Sequence, residues 1–445
     1  MMKIVKTYVW VLAFLTVIVI GGGWWFFNSI GEGEKPVIKF GEEIISIGRQ
    51  KAINISFGDL KTGLRSISVT LSQENKSHVL TASTFPQKGV KNKPVTVIVA
   101  PLDLKLHDGP AMLTVSAVDY SLRKNETIIT RPVTIDLTPP QIYLLTPVNN
   151  INPGGCAVVA FRTSEPTVTN GVMVNNNFSQ GYPAIFAGKP ATITYFGLPA
   201  DAAGKVTSLR LIARDSGGNE TSIALSALIR KKKFRSDKMK LPESFLNQKM
   251  PDFQPLPSEL QGKSPLEIFT YVNGPMRNEN ETRIREICRK SVPKQLWEGT
   301  FLRMKDASPM AQFADKRTYL YENKVIGESI HLGVDLASLA NAPVEASNNG
   351  IVTHTGNLGI YGNTVLIDHG LGIFSIYGHM SVINAKAGQQ VKKGDVIGNT
   401  GMTGLAGGDH LHFGMLAGGQ FINPVEWWDP HWINDNVTSK LAPGI

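Results

Sequence analysis

His331-Leu332-Gly333-Val334-Asp335-Leu336-Ala337 decides the fold of the C-terminal part of this chain. In a strand, residues 331, 333 and 335 point to one face. Gly333 places no side chain between the other two, so His331 and Asp335 can converge on one ion. His410-Leu411-His412-Phe413 repeats the logic. Its histidines at i and i+2 share a face, and Leu411 and Phe413 take the opposite, core side. A third stretch, Tyr377-Gly378-His379-Met380, closes the strand-like run Ile373 to Tyr377. Imidazole nitrogen and carboxylate oxygen are suitable zinc ligands. Two histidines and one carboxylate leave one tetrahedral position open, as catalytic rather than structural sites do. Each motif alone is weak, since a lone His-x-His is more often structural. Their combination and order carry the inference.

Seven of the nine histidines fall between His331 and His431. His354, His369 and His431 stand in no such setting and are read as solvated surface residues. No Glu stands in an HExxH helix, so the general base of that metalloprotease class is missing. A histidine must then handle the proton, stabilise the oxyanion, or do both in turn.

The surrounding sequence resembles a known family. Gly362-Asn363-Thr364-Val365-Leu366-Ile367-Asp368-His369-Gly370 follows the first motif. Val391-Lys392-Lys393-Gly394-Asp395-Val396-Ile397-Gly398 and Gly401-Met402-Thr403-Gly404 precede Gly408-Asp409-His410-Leu411-His412-Phe413-Gly414. Together they resemble the M23 metallopeptidases of the lysostaphin/LytM type, over about 327–427. The resemblance implies a mostly antiparallel sheet crossed by a groove. It also implies zinc-dependent cleavage of peptide cross-links in bacterial peptidoglycan. It assigns His331, Asp335 and His412 to Zn2+, and His379 and His410 to catalysis. The stretch Gly407-Gly408-Asp409 departs from the Ser/Thr-Gly-Pro of many relatives, which puts the groove wall in question but not the metal. Two rival readings are weaker. A non-enzymatic module that activates a wall amidase would have lost ligands, and all five positions are intact. A lipoyl- or biotinyl-type carrier shares the Val-x-x-Gly-Asp-x-Ile-Gly turn, but lacks an exposed lysine in a tight hairpin and leaves the histidines unexplained.

The remaining sequence frames this domain. The chain has 445 residues, 42% of them hydrophobic and 18% charged, which suggests two to four folded domains. A net charge of +9 favours anionic polymers or membrane surfaces. No nucleic-acid-binding signature occurs, and nucleic acid is not an expected partner. Cys156 and Cys288 form no CxxC spacing, so a cysteine metal site is excluded and no disulfide is expected.

Tyr8 to Phe27 is a run of 20 residues without a charge. Lys3 and Lys6 precede it; Glu32 and Glu34 follow. The expected topology is a cytoplasmic segment 1–7, a transmembrane anchor 8–27 in the cytoplasmic membrane, and the remainder in the periplasm or outside. A cleaved signal peptide is the competing reading; Trp24, Trp25, Phe26 and Phe27 after the glycines favour retention. From 36 to 230 the sequence reads as short alternating strands. Ala117-Val118-Asp119 leading to Asn125-Glu126-Thr127 is echoed by Ala213-Arg214-Asp215 leading to Asn219-Glu220-Thr221. With Pro139 and Pro140 at the boundary, this gives two Ig-like β-sandwich domains, 36–137 and 139–230. Residues 231–300 form a linker with helices, one starting at the capping box Ser264-Pro265-Leu266-Glu267 and one over Glu281 to Lys290. The peptidase domain then spans 301–430. The expected fold class is mainly β, and the expected partners are peptidoglycan stem peptides and the membrane. A regulatory protein partner stays open.

Overall fold

A computed structural model describes residues 12–24, 33–147, 150–202, 208–255 and 257–442. The chain is mainly β and divides into two compact units. One holds the residues up to 140 with 165–168 and 214–221; the other holds 141–164, 169–213 and 222–445.

Residues 12–24 are helical. The other positions of the anchor expected at 8–27 lie outside the described residues. Among the described residues, no helix is long and apolar enough to cross a membrane.

In the first unit, a three-stranded and a five-stranded sheet share one core. The alternating run Ala52 to Phe57 buries Ile53, Ile55 and Phe57 there and turns Ala52 and Asn54 outward, as a period of two requires. The faint repeat marks one kind of turn used twice. Asp119 Oδ1 accepts from Asn125 N at 2.9 Å, and Asp215 Oδ1 accepts from Asn219 N at 3.0 Å. In each case the asparagine amide also reaches the aspartate's other oxygen.

Two four-stranded sheets built from residues 142–224, most of them in the second unit, enclose a small core around Val159, Phe161, Val172, Phe196 and Leu211. One central strand of these sheets is buried on both faces. This strand, Cys156–Thr163, turns Ala157, Val159 and Phe161 inward. Val158 and Ala160 join Tyr195 in the main core of the C-terminal region. Tyr195 lies 6.4 Å from Trp297 and 6.2 Å from Trp427, centroid to centroid. Its sheet is therefore built into the C-terminal core. Both cysteines are buried and free.

The linker carries helices at Glu243–Lys249 (α1), Pro265–Tyr271 (α2) and Arg277–Ile287 (α3). Ser264 and Glu267 form the expected capping box, with each side chain bonded to the other's backbone N–H. The strands that place the site are Ser236–Lys240 (β1), Ser308–Ala311 (β2), Lys316–Tyr321 (β3), Lys324–Ile330 (β4), Val334–Ala337 (β5), Gly350–Asn357 (β6), Asn363–Asp368 (β7), Ile373–Met380 (β8), Gln390–Val391 (β9), Leu411–Ala417 (β10) and Gln420–Ile422 (β11). The main sheet has the order β2-β5-β10-β8-β7-β6-β9, with β11 paired to β10. Its pairings are all antiparallel. A small sheet β1-β3-β4 lies beside it, with β1 parallel to β3.

Candidate metal centre

Register brings the first ligands together. Asp335 of β5 sits directly opposite His412 of β10, and Gly378 of β8 is opposite His412 on the other side. His331 does not lie in a strand, contrary to the sequence reading. It falls in the extended link between β4 and β5, where its N–H donates to Asp315 O and its carbonyl accepts from Ala314 N. The convergence with Asp335 survives this difference. His331 Nε2 is 2.8 Å from Asp335 Oδ1 and 3.0 Å from His412 Nδ1; His412 Nδ1 is 3.0 Å from the same Oδ1. All three residues are buried. Gly333 matters for a more specific reason than alternation. A Cβ there would come within 2.6 Å of His412 Cε1 and Nε2. Leu411 and Phe413 pack into the core, as expected.

This cluster fits a metal ion. His331 Nδ1 lies 3.0 Å from the Gln312 carbonyl, which can only accept. The proton of a neutral ring therefore sits on Nδ1, and Nε2 presents a lone pair. A lone pair 2.8 Å from a carboxylate oxygen leaves a place for a cation between the two. Burial opposes ionisation of Asp335, but its close contacts with His331, His410 and His412 hold its carboxyl well below the usual range. Burial drives the His412 pKa down to about 4, so this ring is neutral at pH 7 and able to ligate. Asp335 Oδ2, pointing away from the histidines, accepts from Arg317 Nη2 at 3.1 Å.

The other two histidines flank the triad. His379 ends β8 with φ at +62°, a left-handed conformation that costs a non-glycine residue about 1–2 kcal/mol. Its Nδ1 faces the Thr403 carbonyl at 2.8 Å, and His410 Nδ1 faces the Gly408 carbonyl at 2.8 Å. Both rings therefore keep Nε2 as the free nitrogen. Their centroids are 4.8 Å apart, and His410 Nε2 is 3.6 Å from Asp335 Oδ1. Burial, then the neighbouring histidines, push the His379 pKa well down. Burial acts the same way on His410, but Asp335 outweighs it and raises the value. The two rings are thus set towards opposite protonation states.

Asp409, in the stretch that departs from the family pattern, ties the adjacent wall. Its carboxylate accepts from Thr400 Oγ1 at 2.6 Å and from Asn341 N at 3.0 Å.

Of the histidines read as solvated, only His431 is exposed. His369 is fully buried. Its ring nitrogens meet the Asn349 carbonyl and Ser375 Oγ at 2.7 Å each, and Ser375 continues the chain to Tyr377. Burial takes its pKa down to about 4. A buried polar chain needs every member bonded, which the local sequence does not reveal. His354 is half-buried, and burial again lowers its pKa. Arg317 was not foreseen: a lone arginine in an alternating strand carries no motif.

A buried His-Asp-His triad with two further imidazoles beside it, on an antiparallel sheet, is a candidate metal centre. Residues 329–424 match peptidase family M23, and the chain carries an M23 peptidase domain. The DD-carboxypeptidase/endopeptidase Mpg of Neisseria meningitidis is 42% identical over 96 residues, 22% of each chain. The peptidoglycan DD-endopeptidase ShyA of Vibrio cholerae is 38% identical over 96 residues, again 22% of each chain. The match thus spans less than a quarter of these curated relatives. Among solved structures, a putative M23 peptidase from Pseudomonas aeruginosa is 20% identical with a TM-score of 0.40, over 63% of this chain and 94% of that one.

Proposed function

We propose that the protein is a zinc-dependent endopeptidase that hydrolyses peptide cross-links of bacterial peptidoglycan. One observation carries this reading. Three ligand atoms lie 2.8–3.0 Å from one another, and two further histidines keep a free Nε2 beside them. The activities for which Mpg and ShyA are named point the same way.

His331, Asp335 and His412 would hold the ion. When bound, zinc supplies Lewis acidity at the scissile carbonyl and draws the pKa of water towards neutrality. The other steps fall to side chains. His379, fixed through Nδ1 and kept neutral by burial, takes a proton at Nε2. His410, biased towards its charged form by Asp335, donates from Nε2 to the developing oxyanion or the leaving amine. Arg317 fixes the second oxygen of Asp335, so the carboxylate keeps one orientation. The intact set of five counts against a non-enzymatic amidase activator.

Residues 8–27 are proposed to anchor the chain in the cytoplasmic membrane, with the peptidase outside. The charge-free run and the exposed side chains of Leu12, Phe14, Val17 and Ile20 support this. The catalytic proposal is tested by digesting purified peptidoglycan with the full chain and identifying the products by mass spectrometry. Fragments with cut cross-links and intact glycan are expected. Glycan cleavage, or loss of whole stems at the amide to the sugar, would overturn it.

A further inference from the structure

A cavity of about 510 Å³ opens beside the ligand triad. His331, Asp335, His379 and His410 line one side. Phe245 and Leu405 belong to an apolar wall, and Arg277 and Tyr361 also reach the space.

Arg277 is held in place. Helix α2 runs into a π-turn at Val272–Met276, with Pro275 inside it, and Arg277 opens α3 immediately after. Such turns re-aim the residues that follow and recur at functional sites. Asn273, in the turn, is 5% exposed. Its amide donates to Glu328 O at 3.4 Å, and its Oδ1 accepts from Arg277 Nη2 at 3.0 Å. Arg277 Nε donates to the Asn273 carbonyl at 3.2 Å. Asn273 therefore grips one edge of the guanidinium. The terminal edge, with Nη1, has no hydrogen-bond acceptor among the described residues.

Tyr361 supplies the second group. It is 4% exposed and its ring packs 5.3 Å from that of His412. Its hydroxyl has no hydrogen-bond partner among the described residues, although the residue lines the cavity. The hydroxyl is thus open to the cavity and available to a ligand. The cavity's only acidic lining residue, Asp335, is already paired with Arg317. Lys240 and Arg277 are the lining charges left over, and Glu281, outside the lining, acts on both Arg277 and Tyr361. Apolar walls strengthen a charge pair formed there.

We propose that this cavity is a carboxylate-binding subsite, in which Arg277 and Tyr361 take the free carboxylate on the residue that supplies the scissile nitrogen. A planar guanidinium edge matches a carboxylate in bidentate fashion. In a D-Ala–diaminopimelate cross-link, the carbon bearing the scissile nitrogen also bears a free carboxylate. A glycine bridge carries an uncharged amide at that place. The fixed arginine selects the first over the second. This inference rests on the endopeptidase reading above and names its substrate class.

The test uses two synthetic cross-linked stem peptides, identical except that this carboxylate is free in one and amidated in the other. Cleavage by the full zinc-loaded chain is measured as kcat/KM, with zinc content recorded for every variant. The wild type is expected to favour the free carboxylate by roughly 10- to 100-fold, the scale of one or two charge-assisted hydrogen bonds. Arg277→Ala should bring the two values together by raising KM for the free-carboxylate peptide. Arg277→Lys should keep part of the preference, and Tyr361→Phe should reduce it. Equal cleavage of both peptides by the wild type, or a preference that survives in Arg277→Ala with its zinc retained, would overturn the subsite. Cleavage of neither peptide by the wild type would overturn the endopeptidase reading itself.

Discussion

Arg317 Nη2 donates to Asp335 Oδ2 at 3.1 Å, on the oxygen that His331 and His412 leave free. The arginine thereby holds by its outer side the carboxylate proposed to ligate the metal. Removing such a partner typically costs 10- to 100-fold in metal affinity. Arg317→Ala is therefore expected to lose zinc to a competing chelator at roughly 10- to 100-fold lower chelator concentration than the wild type, and Arg317→Lys to lie between. Unchanged chelator competition would remove Arg317 from the metal site.

The packing of Tyr195 against the C-terminal core gives a stability prediction. Tyr195 is 1% exposed, and its hydroxyl has no hydrogen-bond partner among the described residues. Tyr195→Phe keeps the ring and deletes the orphan hydroxyl, so it should be neutral or stabilising by about 1 kcal/mol. Tyr195→Ala should destabilise by about 3–5 kcal/mol, the scale of a lost buried aromatic ring. Thermal or denaturant unfolding of both variants checks this. An isolated 301–430 fragment would expose the face of Trp427 that Tyr195 covers, so its lower stability is expected as well.

Glu426 is 8% exposed and accepts from Cys156 N at 2.9 Å. Burial pushes its pKa up to about 7. A folded-state value above the unfolded one means that the folded chain holds the proton more tightly. The stability this group contributes is full below about pH 4.5 and is lost as pH rises through about 7, by about 3 kcal/mol in all. The wild type should therefore melt several degrees lower at pH 8 than Glu426→Gln does, relative to the same pair at pH 5. A difference between the two proteins that does not change with pH would contradict this.

Much of the site is legible in the sequence because strand geometry has a short period. Asp335 and His412 lie in strands whose register places them opposite each other, whereas His331 comes to Asp335 from an extended link that strand periodicity does not describe. Ser264 and Glu267 are legible for a similar reason, since a capping box is local. Long-range pairings are not. Arg317 reaches Asp335 through the packing of a small sheet beside the main one, and Arg277 is aimed by a π-turn that no periodicity announces. His369 looks like any turn histidine until Ser375 and Asn349 close around it. The strand buried on both faces has a readable sign. Cys156 to Phe161 is an unbroken apolar run, the mark of such a strand.

The anchor proposed for residues 8–27 predicts export. A reporter that works only outside the cytoplasm, fused after Ile445, should be active in intact cells, and the protein should fractionate with membranes. Activity of a cytoplasm-only reporter at the same position would contradict the topology and put a wall substrate out of reach.

The central claim is that His331, Asp335 and His412 hold the metal while His379 works on the substrate. Zinc stoichiometry and cross-link cleavage, measured on the same preparations of wild type, His331→Ala and His379→Ala, test it most directly. The expected result is one zinc per chain in the wild type and in His379→Ala, and little in His331→Ala. Cleavage should fall by roughly 100-fold or more in His379→Ala, the scale of a lost general acid–base group or oxyanion donor. A His379→Ala protein that keeps its zinc and cleaves at the wild-type rate would contradict the account, as would a zinc-loaded wild type that cuts no cross-link.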